Sequence, residues 1–245
     1  MELLVIGTGS RGNMYVLMEK EQRLILDAGM PVRLMIRAMN GIHGIEGCLV
    51  THEHQDHVCG APDLMGYGID VYATPGTIEK AGLNGERCRT VRMGTMFSLP
   101  HFLVLPFPTR HDAQEPCGFL IRHIDTGITI LYATDTYYLP NKFPLVNFWL
   151  VECNYSDEIV REQEQTGMIE KALLNRLRRS HMSLARLKET LSANDLSVTR
   201  KIVLLHLSDG RSNEKQMVSE ITELTGIETV AADAGLIIPL DMEPF

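Results

Sequence analysis

The chain has 245 residues, a hydrophobic fraction of 44% and a formal net charge of −8 at pH 7. That length can bury a sizeable core in one large domain, 1–245, without disulfides or structural metals. The acidic balance gives no support for nucleic-acid binding by the whole surface, and the absence of any run of eighteen apolar residues excludes a membrane-spanning helix.

The start, Met1-Glu2-Leu3-Leu4-Val5-Ile6, goes straight into a strand-like run, with neither a basic region nor a small-residue cleavage site. The five cysteines, at 48, 59, 88, 117 and 153, are odd in number and irregularly spaced. Together these imply a reduced, cytoplasmic setting with the thiols as small buried hydrophobes.

Residues 2–6 and 14–18 read as strands joined by Gly7-Thr8-Gly9-Ser10-Arg11-Gly12-Asn13. A glycine-rich turn can cradle phosphate, but that reading wants a helix next. A second strand follows instead, so a tight hairpin-like connection is favoured, with a minor role near a substrate left to Ser10, Arg11 or Asn13. A strand over 23–26 ends in Asp27-Ala28-Gly29, and Pro31 opens a short helix over 31–39. Gly47-Cys48-Leu49-Val50 reads as a buried strand, 58–67 as a helix, 71–74 as a strand, and Pro75 opens a helix to about Ala81. From 89 to 135 the pattern is mostly β: 89–92, 96–99, 102–107, 118–124 and 128–133, separated by Gly, Pro and Asp turns. A strand over 147–151 contains the only Trp. Residues 156–192 look helical, 201–207 is a strong strand, 213–225 an amphipathic helix, and 229–240 a closing strand pair. Two packed sheets with helices outside is the architecture this order suggests.

Thr51-His52-Glu53-His54-Gln55-Asp56-His57 holds three histidines and an aspartate in seven residues, directly after an apolar strand. His52 and His54, two apart on a strand end, leave by the same face, and a helical turn would bring Asp56 and His57 round from another side. Imidazole and carboxylate suit zinc, and also manganese or iron. Four such ligands so close together suggest two ions rather than one. Further ligands are expected where polar residues end apolar strands: His111 after 103–110, Asp135 after 128–134, and His206 within 201–208. An ionisable group left there alone would be costly to desolvate, and a metal is the economical partner for all three.

His-x-His-x-Asp-His followed by His111, Asp135 and His206, with Gly-Thr-Gly-Ser-x-Gly-Asn at the start and Leu-Asp-Ala-Gly at 26–29, resembles the metallo-β-lactamase superfamily. The resemblance implies an α+β fold, the four-layer αββα sandwich, and a dinuclear site. One ion would take His52, His54 and His111, and the other Asp56, His57 and His206, with Asp135 bridging. The lactamases proper often carry Cys where Asp135 stands, so antibiotic hydrolysis is not implied.

His111-Asp112-Ala113-Gln114-Glu115-Pro116-Cys117-Gly118 and Ala133-Thr134-Asp135-Thr136 resemble the single-domain YycJ/WalJ-type exonuclease-like phosphodiesterases. His206-Leu207-Ser208 is similar to the His-x-Ser ending of tRNA 3′-processing nucleases. Ser180-His181-Met182-Ser183 and Val151-Glu152-Cys153-Asn154 resemble further stretches of the same branch.

Charge agrees. From Lys171 to Lys188 there are six basic residues (Lys171, Arg176, Arg178, Arg179, Arg186 and Lys188) and no acidic one. Without acids to form i,i+4 pairs, internal salt bridging is a poor account of that run. A surface that tracks phosphate explains it better, with Arg176, Arg178, Arg179 and Ser183 as candidate substrate contacts. The expected activity is dinuclear-metal phosphodiester hydrolysis of DNA or RNA. Two divalent ions, zinc first, would activate water for in-line attack. Asp56 would orient the nucleophile, and His181, oriented by Glu152, would protonate the leaving oxygen. A thioester or lactone hydrolase, as in the glyoxalase II and lactonase branches, or a small-nucleotide phosphodiesterase would use the same ligands. A binding module that had lost catalysis would have reason to lose at least one of the seven. His43, His101 and His123 lack a strand-end or cluster context and read as structural or surface residues.

Overall fold

The computed structural model describes residues 1–242. In chain order its elements are β1 Glu2–Gly7, β2 Met14–Glu19, β3 Gln22–Leu26, α1 Val32–Met39, β4 Ile45–Leu49, α2 Gln55–Val58 and α3 Ala61–Gly66. Next come β5 Val71–Ala73, α4 Pro75–Ala81, β6 Cys88–Thr90, β7 Phe97–Ser98, β8 Phe102–Pro108, β9 Cys117–His123 and β10 Thr129–Ala133. The rest are β11 Phe148–Glu152, α5 Asp157–Gln165, α6 Lys171–Ser180, α7 Leu184–Ser192, β12 Lys201–Leu205, α8 Glu214–Thr225, β13 Glu228–Ala231 and β14 Ile237–Pro239. The chain divides into two compact units. The first comprises residues 1–108, 113–128 and those from Ala232 on; the second comprises 109–112 and 129–231.

In the first unit β14-β1-β2-β3-β4-β5-β6 form one seven-stranded sheet. The β1–β2–β3 meander is antiparallel, and from β3 through β6 the pairing is parallel. The second sheet contributes the antiparallel strands β7, β8 and β9 here. Leu4, Val16, Ile25, Val32, Met35, Cys48 and Val71 are buried together, so β1 to β5 close a core beneath α1. The glycine-rich connection after β1 is a structural turn, as expected. The Asn13 side chain accepts from Gly9 N–H and donates to the Gly9 carbonyl, closing the loop on itself.

In the second unit β10, β11, β12 and β13 pair in parallel. All five residues of β11 and all five of β12 are buried, the continuous run expected of parallel strands covered on both faces.

Three expectations need correction. The helix expected over 58–67 is confined to α3, Ala61–Gly66, with Val58 ending the separate turn α2, because the Gly60 N–H leaves the helical ladder for the Ala28 carbonyl at 2.7 Å and Pro62 has no N–H to give. The helical stretch 156–192 is three helices. Gly167, at φ 71°, lies just past the end of α5, and the extended backbone of His181 ends α6. The strands expected to pair with each other over 229–240 do not: β13 pairs with β12 and β14 with β1.

Candidate metal centre

The first unit gathers the residues of the histidine motif on the turn between β4 and α2. His54 is extended, at φ −64° and ψ 146°, just before α2, so His52 and His54 leave strand-like backbone while Asp56 and His57 occupy the first helical turn. His52 Nε2 lies 3.1 Å from His54 Nδ1, and the His52 and His57 ring centroids are 4.1 Å apart. His57 is fully buried, with Nε2 3.8 Å from Asp56 Oδ2 and 3.0 Å from the Asn13 amide nitrogen.

A residue outside the motif orders this cluster. Asp27 Oδ2 lies 2.8 Å from His57 Nδ1. The same carboxylate accepts from the Thr51 N–H at 2.8 Å and from its hydroxyl at 3.0 Å. That hydroxyl lies 3.0 Å from His52 Nδ1. A hydroxyl that donates to Asp27 can accept from His52 Nδ1–H. One buried carboxylate therefore favours a proton on Nδ1 of both His52 and His57, so that Nε2, which meets His54 in one case and the Asn13 amide in the other, is the nitrogen each would offer a cation. Two imidazole nitrogens as close as those of His52 and His54 repel unless a proton or cation lies between them.

The second unit holds the other candidates. Asp135 follows β10, and its two oxygens face different histidines: Oδ2 lies 3.6 Å from His111 Nε2, and Oδ1 lies 3.4 Å from His206 Nε2. His111 Nδ1 donates to the Ser180 carbonyl at 2.9 Å, which fixes Nε2 as the nitrogen that faces Asp135. Burial pushes the His111 pKa down, against the opposing pull of Asp135, so its imidazole is held in the neutral form a ligand requires. The Asn154 amide nitrogen lies 2.8 Å from His206 Nδ1 and donates to the His206 carbonyl at 2.9 Å.

Glu152, at the end of β11, is fully buried. Its Oε1 lies 2.7 Å from His181 Nδ1, and its Oε2 accepts from the backbone N–H groups of Thr136 at 2.8 Å and Met182 at 3.2 Å. His181 is the partly exposed member, its side chain 21% accessible, and its ring stacks on His206 at 5.2 Å. Asp135, Glu152, His181 and His206 each offer a ligand atom within 4.8 Å of the others.

Backbone strain marks the same positions. Asp27, Asp135 and His206 have φ of 56°, 47° and 55°, in the left-handed region that non-glycine residues rarely enter. Each lies just beyond the end of a strand, where the turn out of the sheet aims the side chain.

The remaining candidates divide. Arg176 and Arg179 are exposed on α6. Arg178 pairs with Glu164 at 3.0 Å, and Lys188 pairs with Glu220. Acids on neighbouring helices therefore neutralise part of the basic run, which i,i+4 counting could not show. Ser183 is buried, and its hydroxyl accepts from Arg186 N–H as the N-cap of α7, so it is a structural cap rather than a substrate contact. Asp27, Thr51 and Asn154 were not singled out from the sequence, although Asp27 ends an apolar strand just as Asp135 does. His123 and His101 are structural, as expected: His123 is buried against Thr126 and Gln22, and His101 is held by Glu46.

Residues 22–207 match the β-lactamase superfamily domain. The chain is 25% identical over 249 residues to the exodeoxyribonuclease WalJ of Streptococcus pneumoniae, covering 95% of this chain and 89% of that protein. Among solved structures, the metallo-β-lactamase fold protein YhfI of Bacillus subtilis superposes with a TM-score of 0.74 at 16% identity, over 96% of this chain and 98% of the other. Zn(2+)-bound PqqB from Methylobacterium extorquens superposes with a TM-score of 0.73 at 17% identity, over 98% of this chain and 100% of the other. These likenesses establish the metallo-β-lactamase fold expected from the motifs.

Proposed function

The chain belongs to the β-lactamase superfamily and is a metal-dependent hydrolase; we propose that it cleaves phosphodiester bonds of DNA or RNA at a site holding two divalent ions. The observation that carries this reading is the Glu152–His181 pair, 2.7 Å apart beside Asp135 and His206. A phosphodiester expels an alkoxide, a strongly basic leaving group that needs a proton. A thioester expels a thiolate, which does not. A partly exposed imidazole, locked through Nδ1 to a buried carboxylate, presents Nε2 as the proton donor that phosphodiester cleavage requires and thioester cleavage can dispense with.

In this reading His52, His54 and His111 would hold one ion and Asp56, His57 and His206 the other, with Asp135 available to both. The opposed oxygens of Asp135 fit a bridge, and the all-nitrogen-and-oxygen donor set fits zinc, manganese or iron. When bound, such ions lower the pKa of a water towards neutrality and offset charge on the phosphoryl oxygens. The protein's own groups do the rest. Asp56 orients the attacking water, and Asp27 keeps His52 and His57 facing their ligand. Glu152 keeps His181 aimed at the leaving oxygen, and Arg176 and Arg179 attract the phosphate backbone.

The two compact units work as one hydrolase domain, a reading supported by a family match that runs through both. The nucleic-acid substrate is supported by the likeness to an exodeoxyribonuclease, and a reduced, cytoplasmic setting by five free cysteines. No described helix is long and apolar enough to cross a membrane.

The test is to incubate protein reconstituted with zinc, manganese or iron with 5′- and 3′-labelled single- and double-stranded oligonucleotides. Cleavage with at least one metal, abolished by chelator, is expected. No cleavage with any of the three, alongside turnover of a thioester, would overturn the assignment.

A further inference from the structure

The segment that follows Asp135 carries two tyrosines whose surroundings no metal or proton-transfer role explains. Tyr138 is exposed, at 45%, three residues after Asp135. The loop is not loose. Glu152 accepts from Thr136 N–H, the Thr136 hydroxyl accepts from Arg110 N–H and donates to the Tyr138 carbonyl, and Tyr137 N–H donates to the Arg110 carbonyl at 3.0 Å. The carboxylate that orients His181 therefore also fixes the backbone that presents both aromatic rings. Over the ring of Tyr137 lies the guanidinium of Arg186, its Cζ 5.4 Å from the centroid. Arg110 is exposed and, like Arg186, makes no ion pair among the described residues.

One cation–π pair is ordinary for a chain of this length. Its position is not ordinary, because aromatic faces and uncompensated guanidinium groups are the two components of a single-strand nucleic-acid surface. Bases stack on the aromatic rings, and the backbone phosphates meet the cations. We propose that Tyr138, Tyr137, Arg110 and Arg186 form a nucleotide subsite: Tyr138 stacks on the base of a nucleotide next to the scissile phosphate, and Arg110 and Arg186 contact the flanking phosphodiester. The Tyr137–Arg186 stack holds the guanidinium in place. This subsite rests on the phosphodiesterase reading and names where the strand is gripped, on the rim beside His181 rather than along α6 alone.

The experiment compares wild type, Tyr138→Ala, Tyr138→Phe, Arg110→Ala and Arg33→Ala, all metal-loaded, in steady-state cleavage of a fluorescein-labelled single-stranded oligonucleotide. Tyr138→Ala should raise KM by about 5- to 150-fold, the size of one lost base stack, with kcat and metal content little changed. Tyr138→Phe, which keeps the face, should restore the wild-type KM. Arg110→Ala should raise KM and flatten its dependence on salt, whereas Arg33→Ala, on α1, should do neither. A wild type that cleaves the oligonucleotide while Tyr138→Ala and Arg110→Ala keep its KM would overturn the subsite and leave the nuclease standing. A wild type that cleaves no oligonucleotide would overturn both.

Discussion

Asp27 Oδ2 sits 2.8 Å from Nδ1 of His57, both side chains fully buried, and the same carboxylate reaches His52 through the Thr51 hydroxyl. One acidic group outside the histidine motif therefore sets the tautomer of two candidate ligands. Asp27→Asn tests this with little damage to the fold, because Asn also tolerates the left-handed φ of 56° found there. An amide can donate where the carboxylate only accepts, so His57 and His52 lose their shared orienting partner. Zinc affinity should fall by about 10- to 100-fold, the usual cost of removing such a partner, as measured by competition titration with a chromogenic chelator. Unchanged affinity would remove Asp27 from the metal site.

Gly29 is the second structural test. A Cβ there would lie 1.7 Å from the Asp56 carbonyl oxygen, a backbone atom that already accepts from Asn13 N–H at 2.7 Å. Neither group can swing aside without moving α2. Gly29→Ala should cost at least about 2 kcal/mol in urea unfolding and weaken metal binding with it, because the turn carrying Asp56 and His57 must shift. A fully stable variant would show that the turn is softer than its contacts imply.

The motif 51–57 was legible because His is scarce and an apolar strand precedes it. His111, Asp135 and His206 were legible as polar residues ending apolar strands. Asp27 obeys the same rule, yet its partner His57 lies thirty residues away in sequence, and only folding joins them. The left-handed backbone at Asp27, Asp135 and His206 has no sequence signature, since non-glycine residues adopt it only where the surrounding structure compels it. Alternation marked the strands near 229–240 but not their partners, because a period of two identifies a strand and not the edge it joins. The basic run was read correctly as charge but incompletely as pairing, since Glu164 and Glu220 come from other helices.

His123 should make stability depend on pH. It is buried, its pKa is lowered chiefly by burial, and its ring faces the Thr126 hydroxyl and the Gln22 side chain as a neutral group. A histidine with a folded pKa below its unfolded value of about 6.5 binds a proton more readily when unfolded. This contribution to stability is intact above about pH 6.5 and is lost as pH falls from there to the lowered folded value. In thermal melts from pH 8 to 5, His123→Asn should start from a lower Tm but lose less of it on acidification than wild type. Parallel losses would refute the assignment.

His181 separates proton donation from metal binding. His181→Ala should keep its full complement of metal, measured by elemental analysis of dialysed protein, since the proposed ligands are untouched. Loss of an ion would make His181 a ligand instead.

The central claim is that Glu152 and His181 deliver the proton a phosphodiester leaving group needs. The most direct measurement is kcat for wild type and His181→Ala on two substrates: an oligonucleotide, which must expel an alkoxide, and a p-nitrophenyl phosphodiester, whose leaving group departs without a proton. The expected result is a loss of about 10²- to 10⁴-fold on the oligonucleotide and a small loss on the p-nitrophenyl ester. Equal losses on both substrates, with metal content intact, would contradict the account.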